Sequence, residues 1–226
     1  VIRRVRELNP DATLCCYGLY APLNQEVLSR LGVEAILGGE FEADLVALAT
    51  GQSVVGISTE HELPRLSFLV PDRSDLPPPS RPPALMSRYE FEIAGIPAYH
   101  TITALGCPFT CHFCESGIER VRMFSETMIE ADLLEISNVH TLMKHEKKAI
   151  MFFDDVGLMS PKQVKRLSNV VRKVGFDTWR AFTHAYLVVK HQNRLLDPFV
   201  QSGGRRIGIG LETGSQHSLD LINKRN

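Results

Sequence analysis

The stretch Ala149-Ile150-Met151-Phe152-Phe153-Asp154-Asp155-Val156-Gly157-Leu158-Met159-Ser160-Pro161 carries the fold. The apolar run 149–153 is short and reads as a strand. An acidic pair ends it. Ser160 then offers a helix N-cap and Pro161 a first helical position. Val164, Leu167, Val171 and Val174 recur at helical spacing until Gly175 supplies a stop. A strand feeding a helix in this way is half of a parallel crossover unit.

The same grammar extends in both directions. Residues 99–105 read as a strand, followed by a Gly-Cys-Pro loop and a long helix over 125–146. Thr127 and Glu130 form a possible capping box, and Ile129, Leu133, Ile136 and Met143 form its apolar stripe. Residues 178–184 are a third strand, with Trp179 and Thr183 on one face and His184 on the other. A helix over 193–202, limited by Pro198, leads to a fourth strand over 205–213, and Ser215 begins a last helix. Four strand–helix units in series predict an α/β fold. Periodicity does not separate a βα barrel from an open doubly wound sheet.

Residues 1–51 alternate too, with short apolar runs at 12–17 and 33–37 between helical stripes, and are expected to be the C-terminal half of a Rossmann-like domain. Residues 52–98 differ. Pro64, Pro71, Pro77, Pro78, Pro79, Pro82 and Pro83 interrupt every period, which predicts a semi-rigid linker. Its apolar run Leu66–Val70 is expected to dock. The third segment is 99–226. The chain starts at Val1 and stops at Asn226 inside a helical pattern, so we expect a fragment.

Composition narrows the class. The 25 basic and 26 acidic residues nearly cancel, so no global field points to nucleic acid or an anionic membrane. No apolar run approaches the ~20 residues of a membrane helix, and no signal peptide is visible. Of the five cysteines, Cys15 and Cys16 are adjacent and three more crowd one loop. That is no disulfide framework; it predicts a reducing cytoplasm and a metal.

The loop is Cys107-Pro108-Phe109-Thr110-Cys111-His112-Phe113-Cys114. Three thiolates at spacings of three and two residues suit a soft metal centre. They could hold three irons of a 4Fe–4S cluster and leave the fourth open. Zinc would want a fourth protein ligand, and a structural or interaction module built on zinc is the alternative.

On this spacing, placed after a strand and opening a strand–helix series, the chain resembles the radical S-adenosylmethionine superfamily. The resemblance covers about residues 97–226. It implies a partial βα barrel, a 4Fe–4S cluster on Cys107, Cys111 and Cys114, and S-adenosyl-L-methionine at the open iron. The chemistry implied is reductive cleavage to a 5′-deoxyadenosyl radical, with an unknown substrate, in an oxidoreductase or a transferase. An electron donor such as a flavodoxin or ferredoxin is implied as partner. Matching positions imply an adenine contact for Phe113 and contacts of the cofactor's amino group or substrate for Asp154 and Asp155. The segment Gly208–Ser215, with Glu212, resembles a strand that contacts the ribose or methionine part, and Lys224 is placed near the methionine carboxylate. Residues 1–51 resemble the second half of a cobalamin-binding-type domain. Tyr17, standing where such domains have a glycine, obstructs the approach of cobalamin. The stretch Phe68–Arg73 is similar to linkers in such two-domain proteins.

Overall fold

A computed structural model of the chain describes residues 1–18, 20–38, 41–52, 79–114 and 120–224. The chain divides into two compact units, Val1–Leu69 and Val70–Asn226. The fold class is α/β in both, as the alternating pattern predicts.

The first unit runs α1 (Ile2–Leu8), β1 (Cys15–Tyr17), α2 (Tyr20–Leu23), α3 (Gln25–Arg30), β2 (Ala35–Leu37) and α4 (Glu42–Ala49). The two strands pair in parallel, Cys16 opposite Ile36. Ala21, Val33 and Ile36 form its small core, with Ile2, Cys16 and Leu28 against them. The sequence suggests one helix from 23 to 31; the structure shows α2 and α3, broken at Asn24, whose side-chain amide donates to Tyr20 O at 2.8 Å.

The second unit runs α5 (Pro83–Met86), β3 (Phe91–Ile93), β4 (Ile96–Thr101), β5 (Ala104–Leu105), β6 (Arg122–Met123), α6 (Glu126–Leu142), β7 (Ala149–Phe152) and α7 (Pro161–Val174). It continues with β8 (Thr178–Thr183), α8 (Ala185–His191), α9 (Asn193–Gln201), β9 (Gly204–Ile209) and α10 (Gln216–Leu221). Its main sheet has the order β3-β4-β7-β8-β9. Only β3 is antiparallel to its neighbour. The four parallel strands therefore lie side by side in chain order.

Right-handed crossovers between strands in chain order place successive helices on one face. The packing agrees: α6 lies against α7, and α7 against α9. Tyr99, Ile150, Phe152, Trp179 and Ala181 point into this layer and meet Leu133, Ile136, Val164, Leu167, Leu195 and Phe199 from the helices. Registry joins three of them in a row, Tyr99 to Ile150 to Trp179. The alternate residues Ala98, Ala149 and Met151 form a separate cluster on the other face with Ile93 and Phe182.

Local signals set the helix ends. Ser160 Oγ accepts from Gln163 N at 3.3 Å, and Gly175, at φ 85°, closes α7 in the left-handed conformation. At α6 the cap is Ser125, accepting from Met128 N at 3.2 Å, rather than the Thr127–Glu130 box, and the helix ends at Leu142 instead of 146. The proline-rich span 52–98 contains secondary structure at its end: α5, β3 and the first residues of β4. The runs Leu66–Val70 and Phe68–Arg73 lie outside the described residues. Among the described residues, no helix is long and apolar enough to cross a membrane.

Candidate functional site

Parallel sheets offer ligands the carboxyl ends of their strands, where loops converge. Here those ends carry the segments the sequence singles out: 103–114 after β4, 154–157 after β7, His184 after β8, and 210–214 after β9.

The cysteine loop is fixed from outside itself. His112 N donates to Ile222 O at 2.9 Å, and His112 Nδ1 lies 3.1 Å from Leu221 O. Asn223 Nδ2 donates to Thr110 O at 2.8 Å and to Thr110 Oγ1 at 3.0 Å. The residues that follow α10 thus lie directly against the loop, and Lys224 is brought with them.

Lys224 is buried to 9% exposure, and its Nζ donates to Glu212 Oε1 at 2.7 Å. The same ammonium lies 5.7 Å from the centre of the Phe113 ring, which is itself 55% exposed. Cation and aromatic face are mutually attractive at that separation. Glu212 has φ 57°, a left-handed conformation that few side-chain-bearing residues adopt, and strain of this kind gathers at functional sites. Gly210 makes the arrangement possible. A Cβ there would lie 2.8 Å from Glu212 Oε1 and 3.0 Å from Lys224 Nζ. Three of the expected positions, Phe113, Glu212 and Lys224, therefore meet in space although the first and last lie 111 positions apart in the chain.

The acidic pair divides its work. Asp154 is buried at 4% exposure. Its Oδ1 accepts from Thr103 N at 2.5 Å and Ala104 N at 3.1 Å, and its Oδ2 from the Thr103 hydroxyl at 2.5 Å. Burial raises its pKa, and these three bonds oppose the rise. Asp154 thus positions the segment entering the cysteine loop. Asp155 is exposed and close enough to Cys107 to raise that thiol's pKa.

Cys107 and Cys111 are half-buried and Cys114 is exposed. Burial is the main cause pushing the Cys107 and Cys111 thiols up, while the Lys224 charge pulls Cys111 partly back. Among the described residues, no group of three or more His, Cys, Asp or Glu side chains is arranged to hold a metal ion. The donor set therefore does not fit the 4Fe–4S cluster expected on Cys107, Cys111 and Cys114.

His184 was noted in the sequence only for its strand face. In the structure it is 7% exposed and its ring stacks on Phe109 of the cysteine loop, centroids 4.1 Å apart. Its Nδ1 accepts from Tyr186 N at 3.3 Å and caps α8. A strand-terminal histidine before an apolar helix carries a capping signal, but nothing in its spacing announces the contact with Phe109. In the first unit, Tyr17 is exposed and packs on Phe41, centroids 4.5 Å apart.

No family model matches the chain. It is 26% identical to an uncharacterized methyltransferase of Pyrococcus horikoshii, in an alignment that covers 99% of this chain and 50% of that protein. The chain spans about half the length of the curated relative it matches. The finding corrects the radical S-adenosylmethionine expectation in two respects. The relative is named for methyl transfer, and the described cysteine loop presents no metal-binding group. Radical cleavage, the iron–sulfur centre and the electron donor that depended on them are set aside together.

Proposed function

We propose that this chain is part of an S-adenosylmethionine-dependent methyltransferase, with the cofactor held at the carboxyl ends of the main sheet. The observation that carries the reading is the match, along nearly the whole chain, to a protein named as a methyltransferase. S-adenosylmethionine supplies an activated methyl on a sulfonium sulfur, which an acceptor nucleophile takes as the carbon–sulfur bond breaks and the pair stays on sulfur.

The residues fit such a ligand. Its methionine end is an ammonium and a carboxylate, and Glu212 with Lys224 offers the complementary carboxylate and ammonium 2.7 Å apart. Gly210 leaves the space beside both charges free of a side chain. Phe113 presents an exposed ring beside that pair for the adenine. Asp155 is exposed at the same strand end, and is assigned to the ligand's polar groups. Asp154 orients Thr103 and Ala104 beneath the loop. The sequential strand order with helices on one face supports reading this unit as a section of a βα barrel, a fold whose ligands bind at this end. We take 1–51 as a Rossmann-like half-domain preceding that section.

Equilibrium dialysis of the full-length protein against methyl-labelled S-adenosylmethionine tests this reading. Saturable binding displaced by S-adenosylhomocysteine supports it. Absence of saturable binding overturns it.

A further inference from the structure

His184 combines three properties that a purely structural histidine does not need together. It is buried at 7% exposure, at the end of β8. Its Nδ1 is committed as an acceptor to the backbone N–H of Tyr186. Its Nε2 is buried and, among the described residues, has no hydrogen-bond partner.

The first bond fixes the tautomer. A ring nitrogen that accepts from an amide carries no proton, so in the neutral imidazole the proton sits on Nε2. Burial and the neighbouring Lys224 charge both lower the pKa of the ring, which keeps it neutral near pH 7. His184 therefore holds an N–H donor in a fixed direction with no acceptor among the described residues. Such an orphan costs free energy unless a partner arrives.

The surroundings indicate where the partner comes from. The ring stacks on Phe109, two residues beyond Cys107 and two before Cys111. Phe109 also meets Tyr186 edge-on, ring centroids 6.5 Å apart. The donor thus belongs to the same strand-end cluster as Lys224, Glu212 and Phe113.

We infer that His184 is a positioning residue of this site, its Nε2–H donating to an acceptor atom of bound S-adenosylmethionine. The inference rests on the cofactor reading above and adds a residue to it. One edge of the ring caps α8 and the other reads the ligand, so the helix start and the ligand are held by a single side chain.

Two substitutions separate the two edges. Asn at 184 keeps an acceptor near the Nδ1 position for the cap but loses the distal donor. Gln reaches the Nε2 position with an amide N–H and gives up the cap geometry. The full-length protein is used, with S-adenosylmethionine as probe. His184→Asn is expected to bind about tenfold more weakly with thermal stability close to wild type, as for one lost hydrogen bond. His184→Gln is expected to bind within about threefold of wild type and to unfold at lower temperature. In protein labelled with ¹⁵N-histidine, the His184 Nε2–H resonance is expected to shift on adding the cofactor. If the wild type binds but that resonance stays still and His184→Asn binds like wild type, the inference about His184 fails alone. If the wild type does not bind the cofactor, the reading of the whole site fails with it.

Discussion

Lys224 Nζ lies 2.7 Å from Glu212 Oε1, and Gly210 is the residue whose missing side chain leaves room for the pair. The ammonium is nearly buried while the carboxylate is partly open, so each depends unequally on the other. Removing Glu212 leaves a buried cation unpaired, a change that costs about 3–5 kcal/mol in a fully buried pair and less where water reaches one partner. Glu212→Gln should therefore lower stability measurably in a urea titration. Unchanged stability would show that water already solvates Lys224.

Gly210→Ala tests the same pair without altering a charge. The new methyl would stand 2.8 Å from Glu212 Oε1 and 3.0 Å from Lys224 Nζ, so one of them must move. We expect S-adenosylmethionine binding to weaken about tenfold while circular dichroism stays that of the wild type. Binding equal to wild type would place the ligand elsewhere.

Asp154 is expected to respond to shape more than to charge. Its Oδ1 receives two backbone N–H groups, which an Asn carbonyl can also accept. Asp154→Asn should stay within about 1 kcal/mol of wild type, whereas Asp154→Ala strands buried donors and should cost ~2–4 kcal/mol. Denaturant midpoints of the two variants check this. Equal losses would mean that the negative charge itself is needed.

A partly buried chain of bonds at the opposite end of the sheet, centred on the buried His140, sets a pH dependence. His140 Nε2 lies 3.1 Å from Ala149 O and its Nδ1 3.0 Å from His145 Nδ1; His145 Nε2 lies 3.1 Å from Glu90, which also accepts from the Tyr99 hydroxyl at 2.8 Å. Burial, the largest cause, lowers the His140 pKa to about 4. The unfolded chain then binds a proton that the native chain refuses, so stability falls as pH drops from about 6.5 towards 4. The loss reaches ~3 kcal/mol at the lower limit. Urea unfolding at pH 7.5, 6 and 4.5 should show it, and His140→Gln should flatten that part of the profile. An unaltered profile in the variant would assign the dependence to another group.

Gly204 tests the helix layer independently of the site. A Cβ there would lie 2.5 Å from the Phe199 ring, which packs on Trp179 with centroids 4.6 Å apart. Gly204→Ala should cost about 1–3 kcal/mol through overpacking, measured by thermal unfolding, and should leave ligand affinity of the folded protein unchanged.

Much of this architecture is legible in the sequence where local chemistry decides it. Ser160, Pro161 and Gly175 announce α7 because cap and stop are properties of single residues. The hairpin of β3 and β4 is not legible. Its turn places Ala94 at φ 53° and Gly95 at φ 75°, and Ala lacks the Asn-Gly or Asp-Gly pattern that marks such turns. The β5–β6 pair is two residues long on each side and closes over a distant loop, so no periodicity reports it. At the site, Lys224 and Glu212 could be matched by position, but their ion pair depends on how the residues after α10 fold against Thr110 and His112. For His184 the sequence shows only a strand face, because an orphaned donor is a property of the packed state. The iron–sulfur expectation came from the cysteine spacing and its place after a strand, and neither fixes how three side chains are turned.

Isothermal titration of the full-length protein and its Lys224→Met variant with S-adenosylmethionine tests the central claim most directly. If the strand-end cluster holds the cofactor's methionine end, the wild type binds it and the variant binds about 10- to 100-fold more weakly, equivalent to ~1.4–2.7 kcal/mol. Equal affinity in the two proteins, or no binding by the wild type, would contradict the assignment of this site.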